Sequence, residues 1–156
     1  CDEGLLLYQN PVQEGRCVAY SDLKVRLANT ASNKTGRVEI FHPSFGWGTV
    51  CDDYWDGSDS AVVCRQLGFD GVKATRVKAY YGQGSGPILL DDVRCTGNES
   101  YIWECSHGGW NVHDCDHSED VGVDCYWYLR TTFDTGPRNL KYFMVFIWVI
   151  HKEFTT

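Results

Sequence analysis

Apolar positions along this chain fall in short clusters divided by glycine and asparagine, a pattern that predicts many short strands instead of a helical bundle. Residues 25–27, 37–41 and 47–50 read as strands, because Val38, Ile40 and then His42 recur with a two-residue period among β-formers. Residues 88–93 and 121–124 are further strand candidates. One helix stands out. Asp56-Gly57-Ser58 supplies a turn and an N-cap hydroxyl, and Asp59 puts a negative charge in the first turn. Residues 61–67 follow at helical spacing, and Gly68 offers a left-handed stop. A few strands around a single helix make an α+β domain.

Charge and cysteine spacing divide the 156 residues into three parts. Residues 1–22 include Cys1 and Cys17 around an Asn10-Pro11 step and read as a small stapled extension. Residues 23–125 hold the other six cysteines and form the core module, while residues 126–156 have no cysteine. That last part carries the longest apolar run, residues 142–150, which is nine residues where a spanning helix needs about 20. It is therefore not expected to cross a membrane alone. As a strand it would be apolar on both faces, so it is expected to pack on its own domain and on a neighbouring chain, giving a homo-oligomer.

Composition excludes several classes of function. A net charge of −7 repels a phosphate backbone, so nucleic acid is not an expected partner. Eight cysteines fit an oxidising compartment better than the cytosol. The sequons Asn33-Lys34-Thr35 and Asn98-Glu99-Ser100 point the same way, towards a secreted, extracellular glycoprotein. No basic-then-apolar leader opens the chain, so the signal peptide of a secreted protein would already have been removed.

The order of motifs then becomes recognisable. Trp47-Gly48-Thr49-Val50-Cys51-Asp52-Asp53, Trp55 and Val63-Cys64-Arg65-Gln66-Leu67-Gly68-Phe69 open the series. Tyr81-Gly82-Gln83-Gly84-Ser85-Gly86-Pro87, Leu90-Asp91-Asp92-Val93-Arg94-Cys95, Gly97-Asn98-Glu99-Ser100 and Trp103-Glu104-Cys105 continue it. Gly109-Trp110 and His117-Ser118-Glu119-Asp120-Val121-Gly122-Val123-Asp124-Cys125 close it. From about residue 24 to 125 the chain resembles a scavenger receptor cysteine-rich (SRCR) domain of the six-cysteine, group A type. The extra pair of the eight-cysteine type would need cysteines near Lys34 and at Phe69, which are absent. The resemblance implies a compact fold in which a curved antiparallel sheet cradles one main helix. It also implies Cys51 bonded to Cys115, Cys64 to Cys125 and Cys95 to Cys105, which leaves Cys1 and Cys17 for each other.

Those pairings direct attention to the acids. A Cys51–Cys115 bridge would draw Asp52-Asp53 towards Glu119-Asp120, since bridged Cα atoms sit about 5.5 Å apart. Several carboxylates in one place repel unless a cation neutralises them, and all-oxygen ligands suit Ca2+ or Mg2+. In the resembled family the matching acids form a cation site that also takes basic groups of protein ligands, and Asp52, Asp53 and Glu119 stand at those positions. A second expected site uses Asp91, Asp92 and Glu99 with Asn111 as a neutral oxygen donor. Arg65, Lys73, Arg76 and Lys78 make one basic patch, opposite in sign to residues 91–124, and are expected to steer charged ligands.

Other chemistries fail on spacing. His107, His113, Cys115 and His117 match no paired zinc pattern, and a disulfide at Cys115 removes the thiolate zinc requires. An EF-hand loop starting at Asp52 would put Val63 where a bidentate Glu is needed. Gly82-Gln83-Gly84-Ser85-Gly86 lacks the lysine of a phosphate loop and reads as a flexible loop. The expectation is a non-enzymatic recognition module of innate immune scavenger-receptor type, binding protein, glycan or microbial-surface ligands through a Ca2+-loaded acidic face. The competing expectation is an extracellular assembly protein whose module is joined through its two extensions.

Overall fold

The computed structural model describes residues 5–10 and 13–128. Strand β4 (Thr35–His42) organises it, because three other strands pair with it. Strand β3 (Lys24–Ala28) runs antiparallel along residues 37–41, β5 (Gly46–Val50) along residues 39–42, and β8 (Gly122–Tyr126) along residues 35–37. Strand β6 (Gly71–Arg76) joins β8, and β7 (Ile88–Leu90) joins β5 in parallel, giving the order β6-β8-β4-β5-β7 with β3 beside β4. A separate hairpin of β1 (Leu5–Asn10) and β2 (Gln13–Ala19) precedes this sheet.

The two-residue period on β4 reflects its two faces. Val38, Ile40 and His42 are wholly buried against the helix side, with Val50, Val62, Val63, Leu89, Leu90, Val93, Val121 and Val123. The opposite face is covered by polar groups with apolar surfaces. Arg37 and Arg26 both bind the Glu39 carboxylate, at 2.7 and 2.6 Å, and the Arg26 guanidinium lies 3.9 Å from the Trp47 ring centre. Glu39 is thus buried with its charge matched on two sides.

Helix α1 spans Gly57–Gln66. Its N-cap is Asp56, whose carboxylate accepts from Ser58 N at 2.6 Å, so the cap is a carboxylate and not the expected Ser58 hydroxyl. The reason is register: Ser58 already lies inside the first turn, where its backbone N–H is one of the donors needing a partner. Asp59 completes the box by accepting from Asp56 N at 2.6 Å, and its other oxygen accepts from Cys95 N at 2.7 Å. Gly68, at φ +86°, ends the helix as expected.

Three disulfides close the module: Cys51–Cys115, Cys64–Cys125 and Cys95–Cys105. The first two span 64 and 61 residues, and in the chain-entropy account each removes about 4 kcal/mol of unfolded-state freedom. The Cys1–Cys17 pairing and the tail at residues 142–150 lie outside the described residues. The strand expected over 88–93 stops at Leu90, because Asp92 takes a left-handed φ of +55° that no ladder continues. Among the described residues no helix is long and apolar enough to cross a membrane.

Asp59 is 1% exposed and holds two backbone N–H groups from different elements. Asp59→Ala leaves both donors without that partner, and urea unfolding should show a loss of about 3 kcal/mol. A loss below about 1 kcal/mol would show that the capping box and the Cys95 loop are not coupled through this side chain.

Candidate functional site

Three segments meet where β5 ends. Cys51 N donates to Leu90 O at 2.9 Å, Cys51 bridges to Asp120 through the backbone, and its sulfur bonds Cys115 with a Cα separation of 6.2 Å. The residues that follow or precede these anchors are acidic: Asp52 and Asp53 after Cys51, Asp91 after Leu90, and Asp114 and Glu119 on either side of Cys115. Carboxylates far apart in sequence therefore share one place.

Asp53 sits at the centre of the group. One of its oxygens lies within 4.8 Å of one on Asp91. Its proton affinity is raised, first by partial desolvation and then by the charges of Asp91, Glu119, Asp114 and Asp52. Glu119 belongs to a 3-10 turn at His117–Glu119, whose cap is reciprocal: Asp116 accepts from Ser118 N at 2.7 Å and Glu119 from Asp116 N at 2.9 Å. Asp52 keeps one oxygen on Lys78 N at 2.5 Å. That bond supports two adjacent left-handed residues, Lys78 and Ala79, at φ +56° and +48°.

Asp120 takes a different part. It is 1% exposed and turned inward, accepting from Gly84 N at 2.6 Å and facing His117 Nδ1 at 3.1 Å. The glycine-rich loop is consequently tied down: Arg37 donates to Gly82 O at 2.7 Å and Thr49 N to Pro87 O at 3.0 Å. A Cβ on Gly84 would stand 2.4 Å from Thr49 Cγ2, so the glycine permits close packing and the loop is held, not flexible.

The second expected group divides. Asp91 joins Asp53, its Oδ1 also accepting from Asp92 N at 2.6 Å, while Asp92 is exposed. Glu99 instead lies beside the Cys95–Cys105 bridge and caps its own loop, accepting from Thr96 N, Thr96 Oγ1 and Gly97 N at 2.8, 2.9 and 3.0 Å. Those backbone donors hold its carboxyl down to about 2. Asn111 is exposed at φ +58°, with its N–H on Leu89 O next to the Asp91 segment. The sulfurs near both groups are oxidised and offer no thiolate to a metal. Neither group of metal-capable side chains among the described residues contains a histidine.

The expected basic patch is similarly drawn into the structure. Arg65 donates to Gly97 O at 2.9 Å and to Glu99 O. Arg76 pairs with Asp124 at 2.5 Å and stacks on Tyr80 at 4.4 Å. Lys73 and Lys78 remain exposed. Asn33 and Asn98 of the sequons are both exposed. Sequence reasoning missed the share of Asp114 in the cluster and the Tyr54–Arg94 stack, in which the guanidinium lies 3.9 Å from a ring that is 65% exposed. Asp114 was findable, since it precedes a bridged cysteine; the stack joins distant residues without a spacing signal.

A disulfide-closed α+β sheet cradling one helix, with acids gathered at the end of its parallel strand pair, defines an extracellular type of binding module. Residues 28–126 match the scavenger receptor cysteine-rich domain, and the chain belongs to that family. It is 48% identical over 113 residues, 72% of the chain, to a scavenger receptor cysteine-rich domain superfamily protein of Patiria pectinifera, of which it spans 10%. The third SRCR domain of murine neurotrypsin is similar at 45% identity with a TM-score of 0.61, over 68% of this chain and 98% of that one. The SRCR domain of mouse MARCO, in its dimeric form, is similar at 45% identity with a TM-score of 0.54, over 58% of this chain and 85% of that one. Domains of this family are generally non-enzymatic, disulfide-bonded extracellular receptor modules, and the three described disulfides agree with that setting.

If Asp53 feels Asp91 as a charge, Asp91→Asn should lower the titration midpoint of the Asp53 carboxyl, measured by carboxyl carbon NMR. Glu99→Gln should leave that midpoint where it is, because Glu99 faces its own loop. An unmoved Asp53 midpoint in the Asp91→Asn variant would separate the two carboxylates electrostatically.

Proposed function

We propose that this chain is a secreted ligand-recognition module whose acidic face takes Ca2+, with Mg2+ as the second candidate, and through it receives protein, glycan or microbial-surface ligands in the innate immune manner of scavenger receptors. The observation that supports this best is the approach of the Asp53 and Asp91 carboxylates, with the charges of Glu119, Asp114 and Asp52 near enough to raise the proton affinity of Asp53. Carboxylate oxygens are the donors that hard divalent cations take, and a bound cation would turn mutual repulsion into attraction. Coordination positions the protein does not fill would then be open to a ligand. Lys73 and Lys78, the exposed members of the basic patch, would steer the approach of charged partners.

We also read the module as the six-cysteine type. Lys34 and Phe69, the positions of the missing extra pair, flank one indole: Lys34 Nζ lies 4.5 Å from the Trp127 ring and Phe69 stacks on it at 4.9 Å. This sandwich ties the same two places without a covalent bond.

The assembly reading is favoured by one finding, the dimeric form of the similar mouse MARCO domain. It predicts that the full chain sediments as an oligomer at micromolar concentration and that truncation after Cys125 gives a soluble monomer with intact disulfides. A full-length monomer would remove it.

Calcium should raise the melting temperature of the folded chain by mass action, about 2.7 kcal/mol of added stability at a hundredfold excess over the dissociation constant. Asp53→Ala should abolish most of the gain and Glu99→Gln should keep it. A thermal scan in which calcium moves neither the wild type nor Glu99→Gln would reduce the acidic face to solvated surface.

A further inference from the structure

Two histidines pack against the same tryptophan. His42, wholly buried at the end of β4, lies 4.7 Å from the Trp110 ring, and His107 meets it edge-on at 5.8 Å. Both use the same local device. His42 Nδ1 accepts from Ser44 N at 3.1 Å, and His107 Nδ1 accepts from Gly109 N at 3.0 Å. An imidazole that accepts at Nδ1 carries its proton on Nε2 and is neutral. Protonation would set an N–H against an N–H in both places at once.

Trp110 is the buried anchor of an otherwise irregular segment, at 9% exposure. Its neighbours are fastened to the end of β7, Gly108 N donating to Asp91 O at 3.2 Å and Asn111 N to Leu89 O at 2.9 Å. We propose that His42 and His107 form a proton-operated clamp that locks Trp110 and residues 107–112 when neutral and releases them when protonated, as in an acidified compartment.

The electrostatic surroundings support the direction. Burial lowers the proton affinity of both His42 and His107. Phe45, which does not titrate, also packs on His42 at 4.9 Å, and Asp91 meets the segment through its main-chain carbonyl. Because both affinities are lowered in the folded state, the stability these rings contribute is complete above the ordinary value of 6.5 and is lost as pH falls below it. Each proton taken up on opening raises the opening constant by up to about tenfold per pH unit, so two give up to about a hundredfold.

The test is hydrogen exchange and imidazole titration by NMR on the full chain between pH 7 and 5. Protection at the Ser44 and Gly109 amides should collapse as the pH falls, with the His42 and His107 midpoints below the ordinary 6.5. His42→Asn and His107→Asn keep an acceptor oxygen near the place of Nδ1 but cannot titrate, so together they should flatten the pH dependence, while His113→Asn should leave it unchanged. If the double variant does not fold, the wild-type titration decides alone. Midpoints at or above 6.5, or full protection of both amides at pH 5, would overturn the clamp.

Discussion

The end of β5 at Cys51 is the constraint on which the rest of the molecule depends. That residue is held by a hydrogen bond to β7, a backbone bridge to Asp120 and a disulfide to Cys115. Three segments separated by tens of residues are fixed at one place with no regular element spanning them. A sheet of this size buries a modest core, and without the two long disulfides its unfolded chain would be considerably freer. The acidic face is a by-product of this closure. Acids that adjoin the anchors cannot move apart, so their repulsion is retained in the folded state.

Retained repulsion has to be compared with what each carboxylate gains locally. Asp56 and Glu99 accept backbone N–H groups within a turn, and Asp116 is held by the Ser118 hydroxyl and then its backbone N–H, so the proton affinities of all three fall. Asp124 is driven up by burial but is held lower by Arg76 and Tyr81. Asp53 has neither compensation, and its affinity rises. That of Asp59 also rises, through burial and despite two backbone donors, so local donors, partners and burial together decide what each acid does, a distinction that net charge does not express.

Much of the fold was legible because it obeys local rules. The alternation at Val38, Ile40 and His42 marks β4, and the Asp56 to Gly68 stretch marks the helix with both its ends. The disulfide pairing came with the family resemblance and agrees with the structure. What was not legible depends on distant contacts. Strand β6 is half-exposed and carries Lys73 and Arg76, so its apolar signal is weak until β8 pairs with it. The β1–β2 hairpin, with Gln13, Glu14 and Arg16 in its second strand, read as an extension for the same reason. Asp91 was assigned with Glu99 by nearness in sequence; strand pairing through Leu90 sends it to Asp53, and the turn at Asp92 separates it from the Cys95 loop.

The same sorting explains why a resemblance in motif order does not transfer directly into a site. Asp52 and Asp53 are adjacent in sequence, yet Asp52 supports the strained turn at Lys78 while Asp53 faces the cluster. Glu119 and Asp120 are adjacent too, and one is fixed by a cap at the surface while the other is buried under the glycine-rich loop. Each pair straddles a change of backbone, since Asp53 enters a turn after Asp52 and Glu119 closes a 3-10 turn before Asp120 bridges to Cys51, so the two carboxylates of a pair leave in different directions. The paired-acid motifs are therefore each half structural and half available. A charge-removing substitution at either member of a pair has to be interpreted by the side it serves: at Asp52 or Asp120 it loosens a loop, and at Asp53 or Glu119 it changes the field at the face.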